Sequence, residues 1–270
     1  PSRNLLVHAA DSPAMAARLE TALATGRRNN SHLSLLICSP FQQFIATDPF
    51  GGVYLAREQL AKAQLADKAL EERLSAELER EDVPWDIAVA EGDTILSLAQ
   101  AAALADLAIV SLGSADGRGP LPPLMAGDLA IAVPVPVLAL PSKGGPIDLD
   151  APVMIAWNGS TQAAHALRAA TPLIRDAAQV VMLSVGSDPG SIPAEDGLRY
   201  LSRHGIHAEL RTEERGTMSI EEVIEREARA LGAGLVVMGA FGHARLRETL
   251  FGGVTRYLLE SPPAPLLLVH

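Results

Sequence analysis

The 270-residue sequence repeats itself, and nothing else in it restricts folding as strongly. A shift of 148 residues lays Leu5, Leu6 and Val7 on Val153, Met154 and Ile155, and lays Ser12, Ala16, Leu19 and Ala22 on Ser160, Ala164, Leu167 and Ala170. A shift of 129 lays Pro134, Pro136 and the run Val137 to Leu140 on Pro263, Pro265 and the run Leu266 to Val269. Each half therefore opens on strand, polar turn and helix and closes on an apolar strand. The offsets differ by 148 − 129 = 19 residues, which predicts an insertion in the first half. Its simplest place is the loop-like stretch from Pro40 to about Ala63, with Pro49, Gly51 and Gly52.

Between these ends the chain alternates short apolar runs with helical spacing. In the first half the runs lie near 4–9, 33–38, 86–90, 107–112 and 136–140; in the second, near 152–157, 179–185, 207–212, 234–239 and 265–269. The near-continuous hydrophobicity of the first-half runs reads as strands of a parallel sheet covered on both faces. Ala63, Ala66, Leu70, Leu74 and Leu78 form one helical stripe, and Ile220, Ile224, Ala228 and Leu231 another behind the capping-box spacing Ser219 to Glu222. The pattern predicts an α/β chain of two tandem Rossmann-like doubly wound domains, each with a five-stranded parallel sheet and about four helices. The Pro/Gly-containing stretch Pro141 to Asp150 predicts the boundary, giving domains 1–141 and 151–270.

Composition removes several function classes. The formal charge of −10, with no basic cluster, argues against nucleic acid as a partner. No apolar stretch approaches the ~20 residues of a bilayer span, and no signal-peptide pattern opens the sequence, so no membrane partner is expected. Cys38 is the only cysteine, which forbids an internal disulfide and points to the cytoplasm; it is expected to be a buried structural thiol.

The chemistry-bearing pattern follows the fourth strand of the second half. Gly239-Ala240-Phe241-Gly242 is followed after nine residues by Gly252-Gly253-Val254-Thr255, which lead into a helix. A strand end, a glycine-lined loop and a helix N-terminus offer main-chain N–H groups with no β-carbons to obstruct a phosphate. Thr255 adds a hydroxyl, and Arg245, Arg247 and Arg256 add charge. His243, inside the loop, is either a phosphate contact or a surface turn residue. The glycines serve equally well to turn the chain and to let a helix pack closely, and both readings stay open on spacing alone.

The segment from Gly239 to His270 resembles the carboxy-terminal signature of the universal stress protein family, whose ATP-binding members carry G-x2-G-x9-G followed by Ser or Thr. The resemblance extends over the whole chain as two copies. It implies that the loop through Gly239, Gly242, Gly252, Gly253, Val254 and Thr255 holds phosphates, that Ala156, Trp157 and Asn158 meet adenine and ribose, and that Val185 walls the base. The implied ligand is ATP, with AMP or ADP as alternatives. Asn158 stands where the family usually has Asp, which puts Mg in doubt, and Gly253 stands where the Ser or Thr directly after the third glycine is expected. Trp157 either stacks on adenine or packs in the core. The resemblance further implies that the halves pair through their last strands as an intramolecular pseudo-dimer, with a homodimer also open.

The first half reads as degenerate. Its equivalent segment is taken as Gly113-Ser114-Ala115-Asp116, continuing through Pro120, Pro122 and Pro123 to Gly127, with Ala10 where the family's acidic residue belongs. A carboxylate at the second glycine and prolines without N–H groups would defeat a phosphate cradle.

No G-x-G-x-x-G follows a first strand, no P-loop exists, and the seven histidines show no zinc spacing. No nucleophile elbow or paired-carboxylate site stands out, so no catalytic residue and at most slow ATP hydrolysis are expected. The function indicated is an adenine-nucleotide-binding regulator of the stress response, binding in the second half; the alternative is a nucleotide-independent interaction scaffold.

Overall fold

A computed structural model describes residues 3–39, 45–47, 53–55, 57–113, 123–186, 191–240 and 253–270. The first half runs β1 (Asn4–Ala9), α1 (Met15–Asn29), β2 (His32–Ser39), β3 (Ile45–Thr47), β4 (Val53–Leu55), α2 (Arg57–Leu78), β5 (Trp85–Glu91), α3 (Thr94–Ala102), β6 (Leu107–Ser111), α4 (Pro123–Ala132) and β7 (Val137–Leu140). The second runs β8 (Val153–Trp157), α5 (Thr161–Ala170), β9 (Val180–Val185), α6 (Ala194–Arg203), β10 (Ala208–Glu213), α7 (Ile220–Leu231), β11 (Leu235–Gly239), α8 (Gly253–Glu260) and β12 (Leu266–Val269).

Ten strands form one sheet in the order β10-β9-β8-β11-β12-β7-β6-β1-β2-β5, and each half contributes five strands in the same internal order. Neighbours are parallel within each half. At the centre, β12 and β7 run antiparallel, with Leu266 opposite Ala139, Leu267 opposite Leu138 and Leu268 opposite Val137. The pairing through last strands implied by the resemblance is thus present, and it covers two apolar edges that would otherwise invite association.

Alternation along the strands sorts the core into two layers. Leu138, Leu140, Ile155 and Leu267 lie in one, and Val137, Ala139, Met154 and Leu268 in the other; both layers run across the seam. Side-chain caps fix helix starts near the sheet: Asp93 accepts from Leu96 N at 2.8 Å, and Ser160 from Ala163 N at 3.1 Å. The capping box is formed, with Ser219 N donating to Glu222 Oε2 at 2.7 Å.

Three details differ from the sequence reading. The insertion contains a small antiparallel hairpin, β3–β4, and α2 already starts at Arg57. Along α2 only Leu70, Leu74 and Leu78 of the expected stripe are buried; Ala66 is exposed and Ala63 half-buried. In the connector, Ile147 and Leu149 are buried, and Ile147 N donates to Thr21 Oγ1 at 3.0 Å. Arg28 ties the same stretch down through Asp150 Oδ1 at 2.7 Å and Leu149 O at 3.3 Å. Cys38 is half-buried, and desolvation, with Asp93 and Asp67 nearby, pushes its thiol up to about 12.

Candidate functional site

Within the second half β8 lies between β9 and β11, so the carboxyl ends of these three strands are neighbours at the point where strand order reverses. Ala156 pairs with Leu183 on one side and Met238 on the other; Val185 ends β9 and Gly239 ends β11. Ala156 and Val185 are partly buried on the same layer, which also holds Val254 of α8. Topology therefore gathers Ala156, Trp157, Asn158, Val185 and Gly239 at one end of the sheet. Gly242, His243 and Gly252, with Arg245 and Arg247, lie outside the described residues.

The turn from β8 into α5 is tightly organised. Asn158 Oδ1 accepts from Ser160 N at 3.2 Å and from Ser160 Oγ at 2.7 Å, and Gly159 between them has φ +68°. This Asx turn leaves the amide N–H groups of Asn158 as its outward function. A carboxamide whose oxygen is already shared by two donors does not fit as a Mg ligand. Among the described residues no three His, Cys, Asp or Glu side chains gather for a metal. Gly159 O accepts from Ser191 N at 3.2 Å and Ile192 N at 3.0 Å, closing the turn from above.

The Trp157 ring belongs to the core. It is 4% exposed, Nε1 donates to Ile192 O at 3.3 Å, and a β-carbon on Gly197 of α6 would lie 3.3 Å from its Cη2. At the strand end this position offers its main chain.

The glycines have different local reasons. A β-carbon on Gly239 would fall 2.6 Å from Ala163 N and 2.6 Å from the Gln162 carbonyl carbon, so α5 can lie this close to β11 only over a glycine. At Gly253, the first residue of α8, a β-carbon would meet nothing among the described residues within 4 Å. Val254 is half-buried and Thr255 is 3% exposed, turned into the protein. Helix α8 is tied to α7 by Tyr257 Oη donating to Glu225 Oε2 at 2.6 Å; that bond and Arg229 hold the Glu225 carboxyl below its usual range. Arg256 is paired with Glu260 at 2.9 Å.

Register revises the equivalence between halves. Leu112 N donates to Leu140 O at 2.7 Å just as Ala240 N donates to Val269 O at 2.7 Å, and Ser111 pairs with Leu140 as Gly239 pairs with Val269. The counterpart of Gly239 is Ser111, not Gly113. The sequence expectation that matches glycine to glycine lies two residues too late. Ser114 to Pro122, including Asp116, lie outside the described residues.

Residues 151–270 match the Universal stress protein family. No curated protein matches the chain. Among solved structures, a universal stress protein from Archaeoglobus fulgidus is similar over 99% of this chain and 98% of its own, at 14% identity and a TM-score of 0.74. A putative universal stress protein from Pseudomonas aeruginosa is similar over 99% and 93%, at 20% identity and a TM-score of 0.62. A universal stress protein in complex with cAMP is similar over 46% of this chain and 99% of its own, at 18% identity and a TM-score of 0.36. Residues 151–270 thus match a universal stress protein domain, set in a chain whose complete fold is shared with a universal stress protein.

Proposed function

We propose that the chain is a stress-response regulator that binds one adenine nucleotide, ATP or AMP, in its second domain. The observation that carries this reading is the meeting of three strand ends, β9, β8 and β11, beside the loop G-x2-G-x9-G that leads into α8. In it, phosphates take main-chain N–H groups of the loop and of the α8 start, where a β-carbon on Gly253 would meet none of the described residues. The base and ribose lie along Ala156, the Trp157 main chain, the Asn158 amide and Val185. Gly242, His243, Gly252 and Val254 complete the proposed site together with the main chain of Thr255, whose side chain is buried, and Mg is not required. Residues 1–141 and 151–270 are taken as the two domains of an intramolecular pseudo-dimer acting in the cytoplasm.

Calorimetry with ATP and AMP on the whole chain tests this. One site per chain, abolished by Gly242→Asp, is the expected result; no heat at millimolar nucleotide overturns it.

One observation favours a second reading, a nucleotide-independent scaffold: Gly239 is fully explained by the packing of α5. Mass spectrometry of gently purified protein separates the two, because only the first reading brings adenine nucleotide through purification.

A further inference from the structure

The two halves share one strand order, so a surface position in one half has a counterpart in the other. Leu33 pairs with Trp85 as Val180 pairs with Ala208, which sets Ala88 of β5 against Arg211 of β10 and Ala90 against Glu213. The caps align α3 with α7: Asp93 accepts from Leu96 N as Ser219 accepts from Glu222 N. Leu98 and Ala102 then lie in the same core layer as Ile224 and Ala228.

In the second half this place is charged. Ala208 and Leu210 pack into one layer, so Glu209, Arg211 and Glu213 face the other side of the sheet, where α7 lies. Arg211 pairs with Glu209 at 2.9 Å, Arg226 of α7 with Glu213 at 3.2 Å, and Arg229 with Glu225 at 2.8 Å.

In the first half the charges are gone from the same positions. Ala88 and Ala90 stand for Arg211 and Glu213, and Leu96, Ala99, Gln100, Ala101 and Ala103 for Glu222, Glu225, Arg226, Glu227 and Arg229. Asp86 alone keeps a charge, and His32 holds it at 2.8 Å. Among the described residues α3 is the only helix without Asp, Glu, Lys or Arg, and the uncharged run continues to Ala105.

These positions are not core. Leu96 is 58% exposed and Leu104 87%, and Ala88 and Ala103 are exposed as well. Beside α3 packs α4, with Asp128 as its one charge and Ile131 partly exposed. On the other flank lies β5, the outermost strand of this half. Sheet margins are ordinarily guarded by charge, as β10 is; the margin at β5 presents alanines on this face and exposed Val89 on the other. Contiguous exposed apolar surface of this kind marks an interaction site.

Charge selects the occupant. The chain carries a net −10, so two copies repel wherever their acidic surfaces approach. On the α3 face a charged partner would find no group to pair with and would leave its own charge buried alone. The fitting counterpart is a second uncharged face of leucine and alanine, and every copy of the chain brings one. Copies related by a two-fold axis meet with the same patch on each, and here they meet without opposing like charges.

We propose that the first half docks a second copy of this chain through the uncharged face of α3 and the adjoining margin of β5, giving a homodimer that leaves the second half free.

Analytical ultracentrifugation of the whole chain tests this. A species of twice the chain mass is expected at micromolar concentration. Leu96→Glu combined with Leu104→Glu places like charges on the face and is expected to weaken association about a hundredfold or more, because each buried carboxylate is left unpaired. A parent that stays monomeric at hundred-micromolar concentration overturns the proposal and gives the face to a different protein. Undiminished affinity in the double variant overturns it too, by placing the contact elsewhere. If the double variant does not fold, Leu104→Glu alone decides, with unchanged affinity as the overturning result. Arg211→Ala, at the opposite margin, is expected to dimerise like the parent, and loss of the dimer there also overturns the proposal.

Discussion

Leu267 of β12 stands directly opposite Leu138 of β7, both fully buried, and at this pair two five-stranded sheets become one. The two core layers run through the same seam, so neither half ends its hydrophobic interior there.

Leu138→Ala is therefore expected to lower the stability of the whole chain by about 2–5 kcal/mol, as for other large-to-small core changes. Urea unfolding followed by both far-ultraviolet circular dichroism and tryptophan fluorescence checks it. Coincident transitions in the parent that separate in the variant would show the halves uncoupling; an unchanged midpoint would contradict a shared core.

The glycines of the second half should divide by their surroundings. Gly239→Ala drives a methyl group against the α5 main chain and is expected to cost about 1–3 kcal/mol. Gly253→Ser meets none of the described residues and should stay within about 0.5 kcal/mol of the parent. It also restores the hydroxyl that the family signature places there, so tighter ATP binding by calorimetry is the expected gain. Denaturant midpoints of the two variants decide the stability part.

His8 gives a pH dependence with a definite sign. Burial, and secondarily the Arg18 cation, lowers its pKa from 6.5 to about 3. The unfolded chain takes up this proton first as pH falls, so the stability held by neutral His8 is complete above about 6.5 and lost progressively toward 3. The loss is of order several kcal/mol. His8→Gln should flatten the fall of the urea midpoint between pH 7 and 4; an unchanged slope would show that His8 is not the group responsible.

Cys38 should be chemically quiet. Its thiol titrates near 12, against 9.0 for a free group, so at pH 8 its thiolate is about a thousandfold scarcer. Ellman's reagent is expected to react slowly with the native chain and at once in denaturant. Rapid native reaction would contradict the desolvated environment.

The eight inner strands were legible because strands covered on both faces leave near-continuous apolar runs; the edge strands β5 and β10 are partly exposed and carry charged residues, and all ten segments match the observed strands to within a residue or two. The β3–β4 hairpin was not: Ile45 to Thr47 and Val53 to Leu55 are three residues each, too short for periodicity to register. Ile147 and Leu149 stood among Pro, Gly and Asp and read as a solvated connector, because what buries them is α1, far away in sequence. At the candidate site, loop spacing and strand ends could be read directly. The close packing that requires Gly239 could not, since it depends on the path of α5. The burial of Arg18 was missed because arginine on a helix normally lies in water. The available signal was position: Met15, Arg18, Leu19 and Ala22 form one i, i+3, i+4, i+7 stripe, and the 148-residue shift lays Arg18 on Ala166.

The antiparallel junction has a consequence for biosynthesis. Strand β7 is translated long before β12, and in that interval its outer margin has no neighbour in its own chain. Nascent chains on a crowded polysome could satisfy it with each other's β7, trading a partner in cis for one in trans. Slow elongation between the halves should then favour exchanged dimers, and a holdase that shields that margin should suppress them.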